Sequence, residues 1–170
     1  MKKHSGMRPH DIVVLLKIAA KQNQAWMMKD LSMELGISAS EVSESLNRSA
    51  YAGLIAQDKK RLMKLNILDF LQYGLRYVYP QQPGAKVRGV ATAHSASPLN
   101  QEIVSSDAYV WPYGEGKVRG ESIEPLHPKV PEACLKDVLF YEYMALCDVL
   151  RVGRAREKEL AIQELKARLC

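Results

Sequence analysis

Apolar positions recur with helical period along most of this chain, and the spacing predicts its elements one after another. Pro9 opens a first helix whose inner face is Ile12, Leu15, Leu16 and Ala19. Leu31 and Leu35 lie one turn apart on a second helix, and Gly36 follows where a helix end favours a left-handed residue. Ile37 is an apolar plug, and Ser38 with Glu41 has the spacing of a capping box. Val42, Leu46 and Ala50 then repeat inward over a third helix, 38–52, which Gly53 closes. Helix, glycine turn and capped helix make the sequence form of a helix-turn-helix. Trp26, in the connection before it, is expected as a packing lid. Leu54-Ile55-Ala56 and Leu62-Met63-Lys64-Leu65 flank the polar Gln57-Asp58-Lys59-Lys60-Arg61, which predicts a hairpin, or wing, over 56–65. A fourth helix is expected from Ile67 to about Tyr77, carrying Leu68, Phe70, Leu71, Tyr73, Leu75 and Tyr77.

The pattern changes after Pro80. Gln81-Gln82-Pro83-Gly84 marks a boundary, and residues 84–131 are rich in glycine, proline and serine with short β-type runs at 86–90, 108–113 and 117–120. Val87-Arg88-Gly89 recurs as Val118-Arg119-Gly120, either as pairing strands or by chance. From Glu132 the chain is helical again. Leu135, Leu139, Tyr143, Leu146 and Leu150 form a stripe widened by Val138, Ala145 and Val149, and so broad an apolar surface must be buried. Gly153 breaks the run before Ile162, Leu165 and Leu169, and Arg151, Arg154, Arg156 and Lys158 cluster at that junction as an expected exposed face. The expected fold is mainly α with small β (α+β). It comprises a winged helix-turn-helix with linker helix at 9–79, a loop-rich small-sheet segment at 80–131 and a helical segment at 132–170.

The outward face of the third helix carries Ala39, Ser40, Ser43 and Asn47, edged by Glu44 and Arg48. Small side chains allow close approach to a major groove, and asparagine pairs with adenine edges. Ala39, Ser40, Ser43, Glu44 and Asn47 are the candidate base readers. Ser38, Arg48, Lys59, Lys60, Arg61 and Lys64 are the candidate phosphate contacts. The bland alternative is a solvated helix face beside a solvated hairpin tip. Charge favours the first reading. The chain of 170 residues carries a net +5, with 11 Lys/Arg against 6 Asp/Glu in residues 1–66 and 13 of each thereafter. The whole surplus sits where phosphate attraction needs it.

Lys29-Asp30-Leu31, Glu34-Leu35-Gly36-Ile37-Ser38, Val42-Ser43, Leu46-Asn47 and Gly53-Leu54-Ile55 together resemble the winged helix-turn-helix of bacterial transcriptional regulators, closest in style to the MarR-like group. The resemblance covers about residues 9–70. It implies a DNA-reading helix at 38–52 and a wing at 56–65. After Tyr79 the chain departs from that group, so the family's ligand pocket and dimer geometry do not carry over.

Other chemistry finds little support. His94, His127 and the scattered carboxylates have no catalytic spacing, and no glycine-rich phosphate loop or nucleophile elbow appears. No enzyme activity or cofactor is expected. Cys134, Cys147 and Cys170 form no close pair, and with His127 they lack metal-ligand spacing, so no metal is expected. Arg88, Arg119 and His94 raise the idea of an anion site, against the calmer reading of a loop-rich insert. Lys2, Lys3 and Arg8 suggest a basic arm. Neither a secretion signal nor a membrane span is read, which places the protein in the cytoplasm. The expected function is a sequence-specific DNA-binding transcriptional regulator, a repressor, with double-stranded DNA and a second copy of itself (a homodimer) as partners. The alternative is a protein-interaction or antitoxin-like adaptor subunit whose C-terminal helices hold a partner protein.

Overall fold

The computed structural model describes residues 6–170, so Lys2 and Lys3 of the expected arm lie outside it. Helix α1 (Pro9–Ala20) has Pro at its first position, and the Asp11 carboxylate accepts the Arg8 amide at 2.8 Å. Every residue from Asp11 to Ile18 is buried. A helix hidden all round is a central helix, and α1 lies between α3 (Ala39–Tyr51) and α7 (Val138–Val152). Helix α2 (Met28–Leu35) ends at Gly36, whose φ of 69° is the left-handed conformation the spacing predicted. Ile37 is buried behind it, and the Ser32 hydroxyl donates to the Ile37 carbonyl at 2.6 Å, fixing the turn. Ser38 caps α3 by accepting the Glu41 amide at 3.2 Å. The reciprocal bond of the expected capping box is not formed; Ser38 Oγ lies 3.3 Å from Ser40 Oγ instead.

The hairpin after α3 is shorter than the pattern suggested. One antiparallel bridge joins Ile55 to Leu62, and the Met63 amide returns to the Leu54 carbonyl at 3.0 Å. Helix α4 (Lys64–Tyr73) starts at once, so Lys64 and Leu65 belong to a helix and not to the wing. Gly74 separates α4 from a last turn, α5 (Leu75–Val78).

Strands β1 (Lys86–Ala91), β2 (Tyr109–Pro112) and β3 (Val118–Ser122) close on themselves: β1 is antiparallel to both others, which are parallel to each other. The repeated tripeptides are pairing strands, with Val87 opposite Gly120, Arg88 opposite Arg119 and Gly89 opposite Val118. The crossing is so tight that a Cβ on Gly89 would lie 1.9 Å from the Trp111 carbonyl oxygen. Helix α6 (Val130–Cys134) leads into α7, and α8 (Ala155–Leu169) packs back on α7.

Buried apolar residues of all three stretches, from Ile12 through Trp111 to Leu169, form one continuous core. The C-terminal stripe is largely consumed there: Phe140, Tyr143, Leu146 and Leu150 are buried. Leu135 and Val138 are exposed, because the helix starts only at its cap, Asp137, and both precede its buried turns. Polar groups lock the same junctions. Asp137 caps Phe140 and accepts the buried Lys17 ammonium of α1 at 2.6 Å. Asp148 on α7 accepts Thr92 Oγ1 at 2.7 Å, Trp111 Nε1 at 2.6 Å and Arg151 at 2.9 Å. Arg151 also donates to the Tyr79 and Glu124 carbonyls, so it points inward and leaves the exposed face expected for its cluster. Among the described residues no helix is long and apolar enough to cross a membrane.

Candidate nucleic-acid interface

Helix α3 sorts its side chains sharply. Val42, Leu46 and Ala50 are buried against α1 and α2, whereas Ser38, Ala39, Ser40, Glu44 and Asn47 are exposed and Ser43 is half-buried. The helix thereby turns outward a row of hydroxyls at 40 and 43, an amide at 47 and a methyl at 39. Glu44 adds a carboxylate able to accept from a cytosine amino group.

Arg48 does not belong to that row. Its side chain is 8% exposed and grips the fully buried Asp11 through two bonds, Nε to Oδ2 at 2.9 Å and a terminal nitrogen to Oδ1 at 2.8 Å. The His10 ring nitrogen lies 3.1 Å from the same guanidinium, and Glu44 is 4.0 Å away. The bonds to Asp11 raise the Arg48 pKa. Buried and held through Nε and one terminal nitrogen by Asp11, this guanidinium does not stand exposed with the row for a phosphate to meet, which corrects its expected role. Arg48 instead bolts α3 to α1.

The hairpin cations sit beside Trp26. Asp58 Oδ1 accepts the amides of Lys60 (2.8 Å) and Arg61 (3.2 Å), which shapes the tip and lowers the Asp58 pKa. Lys59 takes a left-handed φ of 58°. The Lys60 ammonium lies 4.0 Å from the centroid of the Trp26 ring and donates to the Trp26 carbonyl at 3.0 Å. Trp26 is thus the half-buried lid its position suggested, with the hairpin tip tied over it. Arg61 and Lys64 are exposed, and among the described residues neither forms an ion pair.

One support was not legible beforehand. The segment before α6 returns to brace the turn between α2 and α3: the Lys129 side chain passes 3.5 Å from where a Gly36 Cβ would be. His127 Nδ1 accepts the Lys129 amide at 3.1 Å, which requires the neutral ring, and its edge meets His10 at 5.9 Å between centroids. Burial, then the neighbouring His10, lowers the His127 pKa. The only signal for this brace was the His127-Pro128 turn itself.

The remaining chemical candidates are structural. His94 is buried, 3.0 Å from the Asp107 carbonyl and edge-on to Tyr109 at 4.6 Å, so it does not join the two arginines. Cys134 and Cys147 are buried, and burial pushes both thiols up. Among the described residues no three His, Cys, Asp or Glu side chains group around a possible metal position.

Comparison with family models, with curated proteins and with solved structures returns no match.

Proposed function

We propose that this protein is a sequence-specific DNA-binding transcriptional regulator of the MarR-like winged helix-turn-helix type, acting as a repressor. What supports the reading above all is the face of α3, where Ser40 and Asn47 are exposed and Ser43 half-exposed while Val42, Leu46 and Ala50 are buried. In this reading α3 lies in the major groove, with Ala39, Ser40, Ser43, Glu44 and Asn47 toward the bases. Ser38, Lys59, Lys60, Arg61 and Lys64 hold the flanking phosphates. Lys60 reaches its phosphate by leaving Trp26. The active unit is a homodimer, a reading supported by the exposed Tyr73 (67%) and Tyr77 (68%) on the helices that follow the hairpin. The adaptor alternative drew its strength from the apolar C-terminal stripe, most of which is buried inside the chain, with Leu135 and Val138 exposed.

Two substitutions test the reading on the purified chain. Asn47→Ala lowers discrimination between a selected and a scrambled duplex by roughly 1–3 kcal/mol, the worth of one good base contact. Lys60→Ala weakens both duplexes alike and lowers the salt slope by about 0.9. Unchanged discrimination in Asn47→Ala would remove α3 as the reading helix.

A further inference from the structure

A groove of about 420 Å³ runs between the helices that follow the hairpin and the last helix of the chain. The end of α4 and the start of α5 form one wall, with Gln72, Tyr73 and Arg76. On α8, Lys158, Ile162 and Lys166 follow one another at single-turn spacing and form the other. Leu150 of α7 and Ile162 are buried and give the groove an apolar floor. Leu71, Leu75 and Leu165 seat both walls in the common core, so the groove is preformed. Its size is that of a small-molecule site.

The charges in it are unbalanced. Arg76, Lys158 and Lys166 line the groove against one carboxylate, Glu159, a surplus of two positive charges. Among the described residues none of the four forms an ion pair. Lys158, expected on an exposed face, is half-buried. Its burial and then the neighbouring Arg76 lower its pKa, with Glu157 opposing. Arg76 stacks on Tyr77, its guanidinium carbon 4.6 Å from the ring centroid. Stacking engages the face of the guanidinium and leaves its N–H fork free. Cations that repel each other in a partly desolvated groove, with no carboxylate bridging them, leave a place for an anion.

The other lining groups indicate what that anion carries. A phosphoryl group has a charge of about −1.5 to −2 at neutral pH, which matches the surplus better than one carboxylate does. Guanidinium forks match phosphate oxygens two at a time. Inorganic phosphate would leave most of the groove empty. The exposed Tyr73 ring offers a stacking face beside the apolar floor. The Gln72 and Gln163 amides line the same groove, and each can donate and accept as a base edge requires.

We infer that this groove binds a nucleoside monophosphate, with the phosphate on Arg76, Lys158 and Lys166 and the base over Tyr73. The inference stands apart from the DNA-binding reading and is tested without DNA.

The full chain is titrated by calorimetry with the 5′-monophosphates of adenosine, guanosine, cytidine and uridine in turn, beside ribose 5-phosphate, adenosine and inorganic phosphate. Protein is kept dilute, because a second copy seated on Tyr73 would compete for the groove. At least one nucleotide binds about fivefold or more tighter than ribose 5-phosphate, the worth of one stacked base. Arg76→Gln/Lys158→Gln weakens that nucleotide about tenfold or more, whereas Lys117→Gln/Arg119→Gln, an equal change in charge on the sheet, leaves it unaltered. The melting temperature of the groove variant stays or rises as two repelling cations are removed. Should it fall, Lys166→Gln takes that variant's place, with a loss of about fivefold or more expected. Nucleotides that bind no tighter than ribose 5-phosphate or inorganic phosphate overturn the site. Equal losses in the groove and sheet variants overturn it too, since they would mean attraction by net charge alone.

Discussion

Removing one partner of the Asp11–Arg48 pair separates a structural bolt from a DNA contact. Asp11 is fully buried and Arg48 nearly so, and two bonds of 2.8 and 2.9 Å join them. Breaking a buried pair by deleting one member leaves an uncompensated charge and costs about 3–5 kcal/mol. Arg48→Met therefore lowers the melting temperature by roughly 6–20 °C, at about 2–4 °C per kcal/mol for a chain of this size. Asp11→Leu costs roughly 1 kcal/mol more, because the same carboxylate also accepts the Arg8 amide at the start of α1. The double variant Asp11→Leu/Arg48→Met replaces the pair by apolar groups and regains most of the loss, since such replacements are often nearly neutral. Denaturant unfolding of the four proteins gives the coupling energy directly. Additive losses below about 1 kcal/mol would refute a buried pair. A double variant that is stable but has lost affinity and salt slope would return Arg48 to the phosphate-contacting set.

Other consequences follow from single contacts. His127 has a folded-state pKa below its unfolded value, so the folded state binds fewer protons in that window. Stability then falls as pH drops below about 6.5 and levels off beneath the lowered value. Denaturation midpoints between about pH 7.5 and 5 should show a smaller fall in His127→Gln than in the parent, and equal falls would clear His127 of the effect. Adding duplex DNA should change Trp26 fluorescence as Lys60 leaves the ring, and Lys60→Ala should abolish that change; a change that persists in the variant arises elsewhere. Gly89→Ala forces a methyl against the Trp111 carbonyl and should cost at least about 1–3 kcal/mol of stability, read by thermal unfolding. A neutral substitution there would mean that the β1–β2 crossing opens easily.

Local signals were legible wherever the deciding contacts lay within a few residues. Leu31, Leu35, Gly36, Ile37 and Ser38 specify a helix end, a left-handed turn and a cap, and each is found as its spacing implied. The repeated Val-Arg-Gly, left open between pairing strands and chance, does pair. What escaped was set by residues far apart. Arg48 sits on the margin of its helix, and its side is decided by Asp11, 37 positions earlier. Lys64 continues an alternating apolar pattern and so reads as strand; the return of Met63 to Leu54 ends the hairpin first. The parallel contact of β2 with β3 runs beside Gly120, where a Cβ would lie 2.5 Å from the Ala108 carbonyl oxygen, and Gly120 carries no periodicity to announce it. Most of the C-terminal stripe is buried, Leu135 and Val138 excepted, but periodicity cannot say against which surface; the answer was α8, α1 and residues 93–95.

In the proposed function α3 reads a DNA sequence. Titrating the purified chain with its own upstream duplex and with a scrambled duplex, at low and at near-physiological salt, tests it most directly. Binding to the upstream duplex that survives the higher salt, with the scrambled one released, is the expected result. Equal binding to both, lost together as salt rises, would contradict it and leave only a basic surface.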